Sequence, residues 1–580
     1  MTRIAVIEED KCHPDKCGNY LCMRLCPVNR TGEECIIKGE NKKAFIIEEK
    51  CAGCGICPKR CPFGAIHILN LPEALDKEPI HRYGANGFAL FNLPTPVFGK
   101  VVGVIGRNGI GKSTAMKILA GIIKPNLGKE KHEATYDELI EYFKGTEAHL
   151  FFEKVKRGEI RLSYKPQQVD QIPKQFKGTV KELLKKVDEK KEFDKIVGLL
   201  DLQEILDTDI SNISGGELQR VAIAATVLKK ANIYFFDEPT SYLDIKQRLK
   251  VSQFIRSLVN ADTGVMVIEH DLIILDYLSD FVHLMYGEEV VFGVVSHLKA
   301  TKAGINTYLS GYLKDENVRF RPYEIRFEKR PPVHAHREQV VAAWVAIDET
   351  VGRFHLSAKE GNIEQHDIIG ILGENGIGKT TFVKILAGEI KSKGNLKDLK
   401  ISCKPQYLES SDEPVITYLK DAAKYEVVFR PLHLKGLQDK KLSELSGGEL
   451  QRVAIARCLS ADADLFLLDE PSAYLDIEQR LTISKVLREL MILKGKSCLV
   501  VDHDLLFIDY ISKKLLVFQG RPALNGEATG VFSMEEGMNH FLKDINLTFR
   551  RDEETLRPRA NKPESQMDRK QKAENKLYYG

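Results

Sequence analysis

The chain has 580 residues, 43% of them apolar and 29% charged, with a net charge of +3. That length predicts three or four domains, and no apolar run approaches the roughly 20 residues that span a bilayer. The opening MTRIAVIEEDKC lacks a signal-peptide pattern, so a cytoplasmic chain with no membrane role is expected. The small net charge neither demands nor excludes nucleic acid.

Nine of the twelve cysteines lie between Cys12 and Cys61. A secreted disulfide domain would need an oxidising compartment, so clustered cytosolic thiols point to metal. CAGCGICPKRCP (Cys51–Pro62) resembles the bacterial ferredoxin spacing, in which three thiolates bind one cluster and the fourth binds its neighbour. Upstream, Cys12, Cys17, Cys22 and Cys26 follow a looser version of the same plan. The ferredoxin crossover implies one 4Fe–4S cluster on Cys51, Cys54, Cys57 and Cys26. The second would sit on Cys12, Cys17, Cys22 and Cys61, which leaves Cys35 surplus. Zinc is the alternative occupant.

The rest of the chain is an internal repeat. SGGELQRVAIA at Ser214–Ala224 returns unchanged at Ser446–Ala456, a shift of 232. FFDEP and LLDEP, and YLDIKQRL and YLDIEQRL, obey the same shift. Two modules are expected at 72–318 and 335–548, behind an iron–sulfur domain at 1–71. From Lys112 to Gln167 is 55 residues and from Lys379 to Gln406 is 27, so module one carries 28 more. Inside that insert, at about 130–158, a capping box at Thr135 and Glu138 and two helical patterns around Gly145 predict a helical hairpin. Two basic, Pro-containing stretches, at 319–334 and 549–580, read as linkers stiffened by proline and made sticky by arginine.

Each module carries a phosphate loop after an apolar strand, GRNGIGKS (Gly106–Ser113) and GENGIGKT (Gly373–Thr380). Backbone N–H groups from Asn108, Gly109 and Gly111, and from Asn375, Gly376 and Gly378, would cradle a polyphosphate at a helix N-terminus. Thr114 and Thr381 follow on. Lys112 and Lys379 would reach the β/γ-phosphates, and Ser113 and Thr380 would hold Mg²⁺. Asp237 and Asp469 end apolar strands and would orient the metal, while Glu238 and Glu470 follow as general bases. His270 and His503 are placed for the γ-phosphate, and Gln167 and Gln406 for the metal and water. A glycine-rich turn, the plain structural alternative, does not survive two matches with all their partners.

These motifs resemble the ABC ATPase family over about four-fifths of the chain. The resemblance implies composite sites, with Ser446 and Gly448 capping ATP on Lys112, and Ser214 and Gly216 capping ATP on Lys379. It also implies an aromatic stacked on each adenine, for which Tyr83, Phe88 and Phe354 are candidates. The expected fold is α/β, tandem P-loop domains preceded by a small α+β ferredoxin-like domain. With the cysteines, the hairpin and both basic stretches, the chain is similar to ABC subfamily E, the RNase L inhibitor family. That resemblance implies two 4Fe–4S clusters and two Mg²⁺–ATP sites on a monomer whose two modules pair with each other. It further implies an ATP-driven factor that splits ribosomes, with a release factor or Pelota-type partner and small-subunit rRNA as contacts. An ATP-gated electron donor is the alternative.

Overall fold

The computed structural model describes residues 3–39, 41–70, 78–327, 339–394, 396, 399–406, 411–420 and 426–579. Residues 71–77, at the boundary expected between the iron–sulfur domain and module one, and the end of the first basic stretch, 328–334, lie outside the described residues.

The N-terminal domain is α+β. Strand Arg3–Ile7 pairs antiparallel with Ile66–Asn70, and a hairpin joins Ile36–Lys38 to Ala44–Ile46. Its core is small and rich in sulfur, with Cys12, Cys26, Cys35, Cys51 and Cys57 buried beside Ala5, Ile7, Ile36 and Ile46.

Each module is built on one mixed sheet. In module one the strand order is 81–82, 89–91, 292–295, 281–288, 101–105, 264–268, 233–237, 162–165. In module two it is 347–351, 354–358, 525–533, 514–521, 368–372, 497–501, 465–469, 401–404. The central strands, such as Val101–Ile105 and Ile233–Asp237, are buried at every residue, as parallel strands covered on both faces must be. Register then sets the chemistry. Asp237 lies opposite Ile268 and Asp469 opposite Val501, so His270 and His503 emerge beside them at the carboxyl ends of the strands.

Helices Tyr136–Tyr142 and Glu147–Lys156 flank Gly145 and form the insert of module one, with the Thr135–Glu138 capping box in place. Phe143 and Phe152 stack at 5.6 Å between the helices. A continuous apolar cluster runs from helix Leu272–Leu278 of module one to helix Leu505–Ile511 of module two, closing one end of the cleft.

The second basic stretch is not the sticky linker that its composition predicts. Strands Phe549–Arg551 and Pro558–Ala560 form a hairpin, and helix Gln566–Ala573 follows. Arg557 and Arg559 turn inward onto Asp276 of module one at 3.1 and 2.6 Å. Arg557 is 0% exposed, because a buried guanidinium needs a buried carboxylate beside it. In the first stretch Arg321 is likewise buried, bonded to Glu478 of module two at 2.9 Å. Among the described residues no helix is long and apolar enough to cross a membrane.

Candidate functional site

One cavity of about 1900 Å³ lies between the modules and holds both sets of nucleotide motifs. In site one, helix Lys112–Leu119 begins at the phosphate loop, and Gly109 and Gly111 take φ of 72° and 86°, which glycine adopts without strain. A Cβ on Gly111 would come within 2.7 Å of the Phe88 ring, and one on Gly378 within 2.7 Å of Phe354. Both rings therefore brace their phosphate loops. Tyr83 is 49% exposed, with its hydroxyl 3.3 Å from Thr114 Oγ1.

The loop lysines turn back on their own loops. Lys112 Nζ donates to the carbonyls of Gly106 and Arg107 at 2.9 and 2.6 Å, and Lys379 Nζ to Gly373 and Glu374 at 2.9 and 2.5 Å. Burial pulls Lys379 down to about 8 and also lowers Lys112. An anionic phosphate would reverse both shifts.

The metal positions are prepared. Thr380 Oγ1 donates to Asp469 Oδ2 at 2.7 Å, and the Tyr164 hydroxyl donates to Asp237 Oδ2 at 3.1 Å, with Ser113 beside it. The other oxygen of each aspartate, Asp237 Oδ1 and Asp469 Oδ1, is buried without a partner. Such an orphan is costly unless a cation takes it, so the donor set fits Mg²⁺. Gln167 and Gln406 donate to Glu238 Oε1 and Glu470 Oε1, each at 2.7 Å. His270 Nε2 lies 3.3 Å and His503 Nε2 3.7 Å from the same oxygens, too poorly aligned to bond, which leaves both ring nitrogens free for a ligand.

Glu238 and Glu470 sit at φ of 46° and 47°, left-handed conformations that cost about 1–3 kcal/mol in a non-glycine residue. Burial raises Glu238, but the His270 ring, the Lys112 charge and the Ser241 hydroxyl outweigh it and hold the carboxyl at about 2. In Glu470 burial acts together with Asp502 and Asp469 and lifts it to about 7.

Each site is completed by the other module. Asp476 accepts from Asn108 N at 3.1 Å, and Asp244 accepts from Asn375 N at 3.0 Å. Ser214, Gly216, Ser446 and Gly448 all line the one cavity that holds Lys112 and Lys379. Sequence reasoning saw Asp244 and Asp476 only as part of the repeat. It also passed over Lys165 and Lys404, which hold the carbonyls of Asp237 and Asp469 at 2.9 and 2.7 Å. Their recurrence in both KPQ triplets was the available signal.

The cysteines gather in two neighbourhoods. Burial pushes Cys22 up to about 11, with Cys12, Cys17 and Cys61 as its charged neighbours. It pushes Cys57 to about 12 beside Cys51 and Cys54, and Cys35 to about 12 beside Cys26 and Cys51. Cys35 is thus packed among the expected ligands. All these thiols are free of disulfides, and among the described residues no three candidate ligands converge on a single ion. A clustered, disulfide-free thiol set suits iron–sulfur chemistry.

Paired phosphate loops that share one cavity, each contacted by an aspartate of the opposite module, define an ABC-type ATPase. The chain matches the ABC transporter family over residues 97–241 and 356–473, and "Possible Fer4-like domain in RNase L inhibitor, RLI" over residues 2–34. It is 50% identical to an uncharacterised ABC transporter ATP-binding protein of Methanocaldococcus jannaschii, over 100% of this chain and 97% of that one. It is 43% identical to translation initiation factor RLI1 of Saccharomyces cerevisiae, over 100% and 98%. Among solved structures it resembles ABCE1 in a ribosome-bound archaeal Pelota and ABCE1 assembly, at TM-score 0.94 and 51% identity, covering 100% and 99% of the two chains. An archaeal ABCE1 in complex with the ribosomal stalk protein aP1 matches at TM-score 0.82 and 49% identity, covering 87% and 100%. The chain belongs to ABC subfamily E, the RNase L inhibitor family, and is an ATP hydrolase.

Proposed function

We propose that this chain is a ribosome-recycling ATPase that closes its modules on two Mg²⁺–ATP and uses the closure to displace an iron–sulfur domain carrying two 4Fe–4S clusters. Its relatives and structural neighbours support ribosome recycling over an ATP-gated electron donor. In this reading the chain acts as a cytoplasmic monomer on ribosomes, against small-subunit rRNA and beside a release factor or Pelota-type partner. Glu238 and Glu470 accept the proton of the attacking water, Gln167 and Gln406 orient it, and His270 and His503 face the γ-phosphate. Lys112 and Lys379 leave their own carbonyls for phosphate oxygens, and Ser113, Thr380, Asp237 and Asp469 hold Mg²⁺, which supplies charge neutralisation. The domain boundaries follow the sequence reading, with 1–71, 72–318 and 335–548 as the moving bodies.

One observation carries the proposal. The N-terminal domain is bonded to the rim of site one. Arg82 pairs with Glu48 at 2.5 Å, the Asn86 side chain bonds Ala5 and Ile46, and Glu8, Asp10 and His67 line the same cavity as Lys112. Movement at that rim must therefore be felt by the cluster domain. The test follows subunit dissociation on gradients beside ATPase rate, using Arg82→Ala combined with His67→Gln. The variant should hydrolyse ATP and fail to split ribosomes. Splitting at the parent rate would refute the proposal. Anoxically purified protein should also hold about eight irons and eight labile sulfides per chain, against zinc without sulfide.

A further inference from the structure

The two sites differ at one residue that touches the proposed base. In site one Ser241 Oγ donates to Glu238 Oε2 at 3.1 Å, while Gln167 holds Oε1 at 2.7 Å. Both carboxylate oxygens are anchored, from two different elements. In site two Gln406 holds Glu470 Oε1 at 2.7 Å, but the residue in register with Ser241 is Ala473, which has no hydroxyl to offer. The final torsion of a glutamate is broad, so a carboxylate gripped at one oxygen samples orientations that one gripped at both does not.

The surroundings of this residue are otherwise matched. Tyr242 and Tyr474 follow with φ of 66° and 63°, and their rings meet at 6.4 Å between the modules. Asp244 and Asp476 then cap their own helices and accept from the phosphate loop of the opposite site. Ser241 therefore belongs to a short loop with one end on the base of site one and the other on Asn375 of site two. In site two the same loop begins at Ala473, which bonds the Glu470 carbonyl through its amide at 3.4 Å but offers nothing to the carboxylate.

We propose that Ser241 is a positioning residue for Glu238, and that Ala473 leaves the carboxylate of Glu470 held at one oxygen only. The inference rests on the reading of Glu238 and Glu470 as general bases. It makes the grip on the two bases unequal by a single hydroxyl, although every motif is intact in both sites.

The test uses the full chain, with Glu470→Gln isolating turnover at site one and Glu238→Gln isolating site two. Ser241→Ala should lower kcat at site one about tenfold with KM unchanged, the scale of one hydrogen bond to a charged group. Ser241→Thr, which keeps the hydroxyl, should restore it, and Ala473→Ser should raise kcat at site two. An unchanged kcat, a loss not rescued by threonine, or an inert Ala473→Ser would overturn the inference. If Glu238→Gln leaves site one active, the general-base reading fails; if it silences site one while Ser241→Ala is neutral, only the positioning role fails.

Discussion

In module one the loop between Tyr83 and Phe88 spans Gly84, Ala85, Asn86 and Gly87, whereas in module two Val351 and Phe354 enclose only Gly352 and Arg353. The added length lets Asn86 reach the N-terminal domain, where its carbonyl accepts from Ile7 N at 2.9 Å. A second difference lies across the phosphate loop. Val290 N and Ala523 N bond the carbonyls of Gly109 and Gly376 at 3.0 and 2.9 Å, so the two turns are equivalent. Two residues earlier stand Glu288 in module one and Arg521 in module two. Glu288 accepts from His67, a bond that an arginine could not make. The same ATPase core has thus been altered at one rim only, and there it holds the cluster domain.

This comparison assumes one shared chemistry in the two cores, and it breaks first if that is wrong. Replacing both Glu238 and Glu470 with Gln should cut turnover by roughly 10²–10⁴-fold, the worth of a general base, and leave ATP binding intact. Near-parent turnover in a steady-state ATPase assay would mean that the two modules do not share this mechanism.

A middle-sized effect should separate the rims. Phe88 and Phe354 brace glycines in both modules, so the residues free to differ are Tyr83 and Val351, which stand at equivalent places on the cavity wall. Base–aromatic stacking is worth about 1–3 kcal/mol. Tyr83→Ala should therefore weaken ATP binding at site one about tenfold or more, and Val351→Ala should change site two little. Equal losses in site-resolved nucleotide titrations would erase the distinction.

The phosphate loops, Asp237, Glu238, His270 and their counterparts were legible because phosphate chemistry fixes both residue type and spacing, and the repeat supplied each motif twice. The insert was legible because a capping box and helical spacing are local. What sequence could not supply was contact between distant segments. Asp244 acts on Asn375, 131 residues away, and Arg557 meets Asp276, 281 residues away. In both cases the residue type was visible and its partner was not. The composition of the second basic stretch suggested outward-facing arginines, and burial against module one overrode it.

The smallest expected effect concerns the contact that only module one makes. His67 lies between Glu288 at 2.8 Å and Glu8 at 2.9 Å, with Lys11 bonded to both carboxylate oxygens of Glu8. The bonds to Glu288 and Glu8 outweigh burial and raise the imidazole to about 9 from its usual 6.5. A group whose folded value is raised stabilises the folded form fully below its unfolded value and loses that contribution as pH climbs through the folded one. Docking of the cluster domain should therefore be firmest below about pH 6.5 and weaken up to about 9. Half-exposed Glu288 keeps the total modest. Hydrogen exchange at Ile7, whose amide bonds Asn86 across the contact, should quicken over this window beyond its intrinsic base catalysis. His67→Gln should flatten the dependence, because glutamine can still donate to a glutamate but carries no charge. If the parent and His67→Gln proteins show the same pH profile, the histidine is only a spacer, and the distinction between Glu288 and Arg521 has no electrostatic meaning.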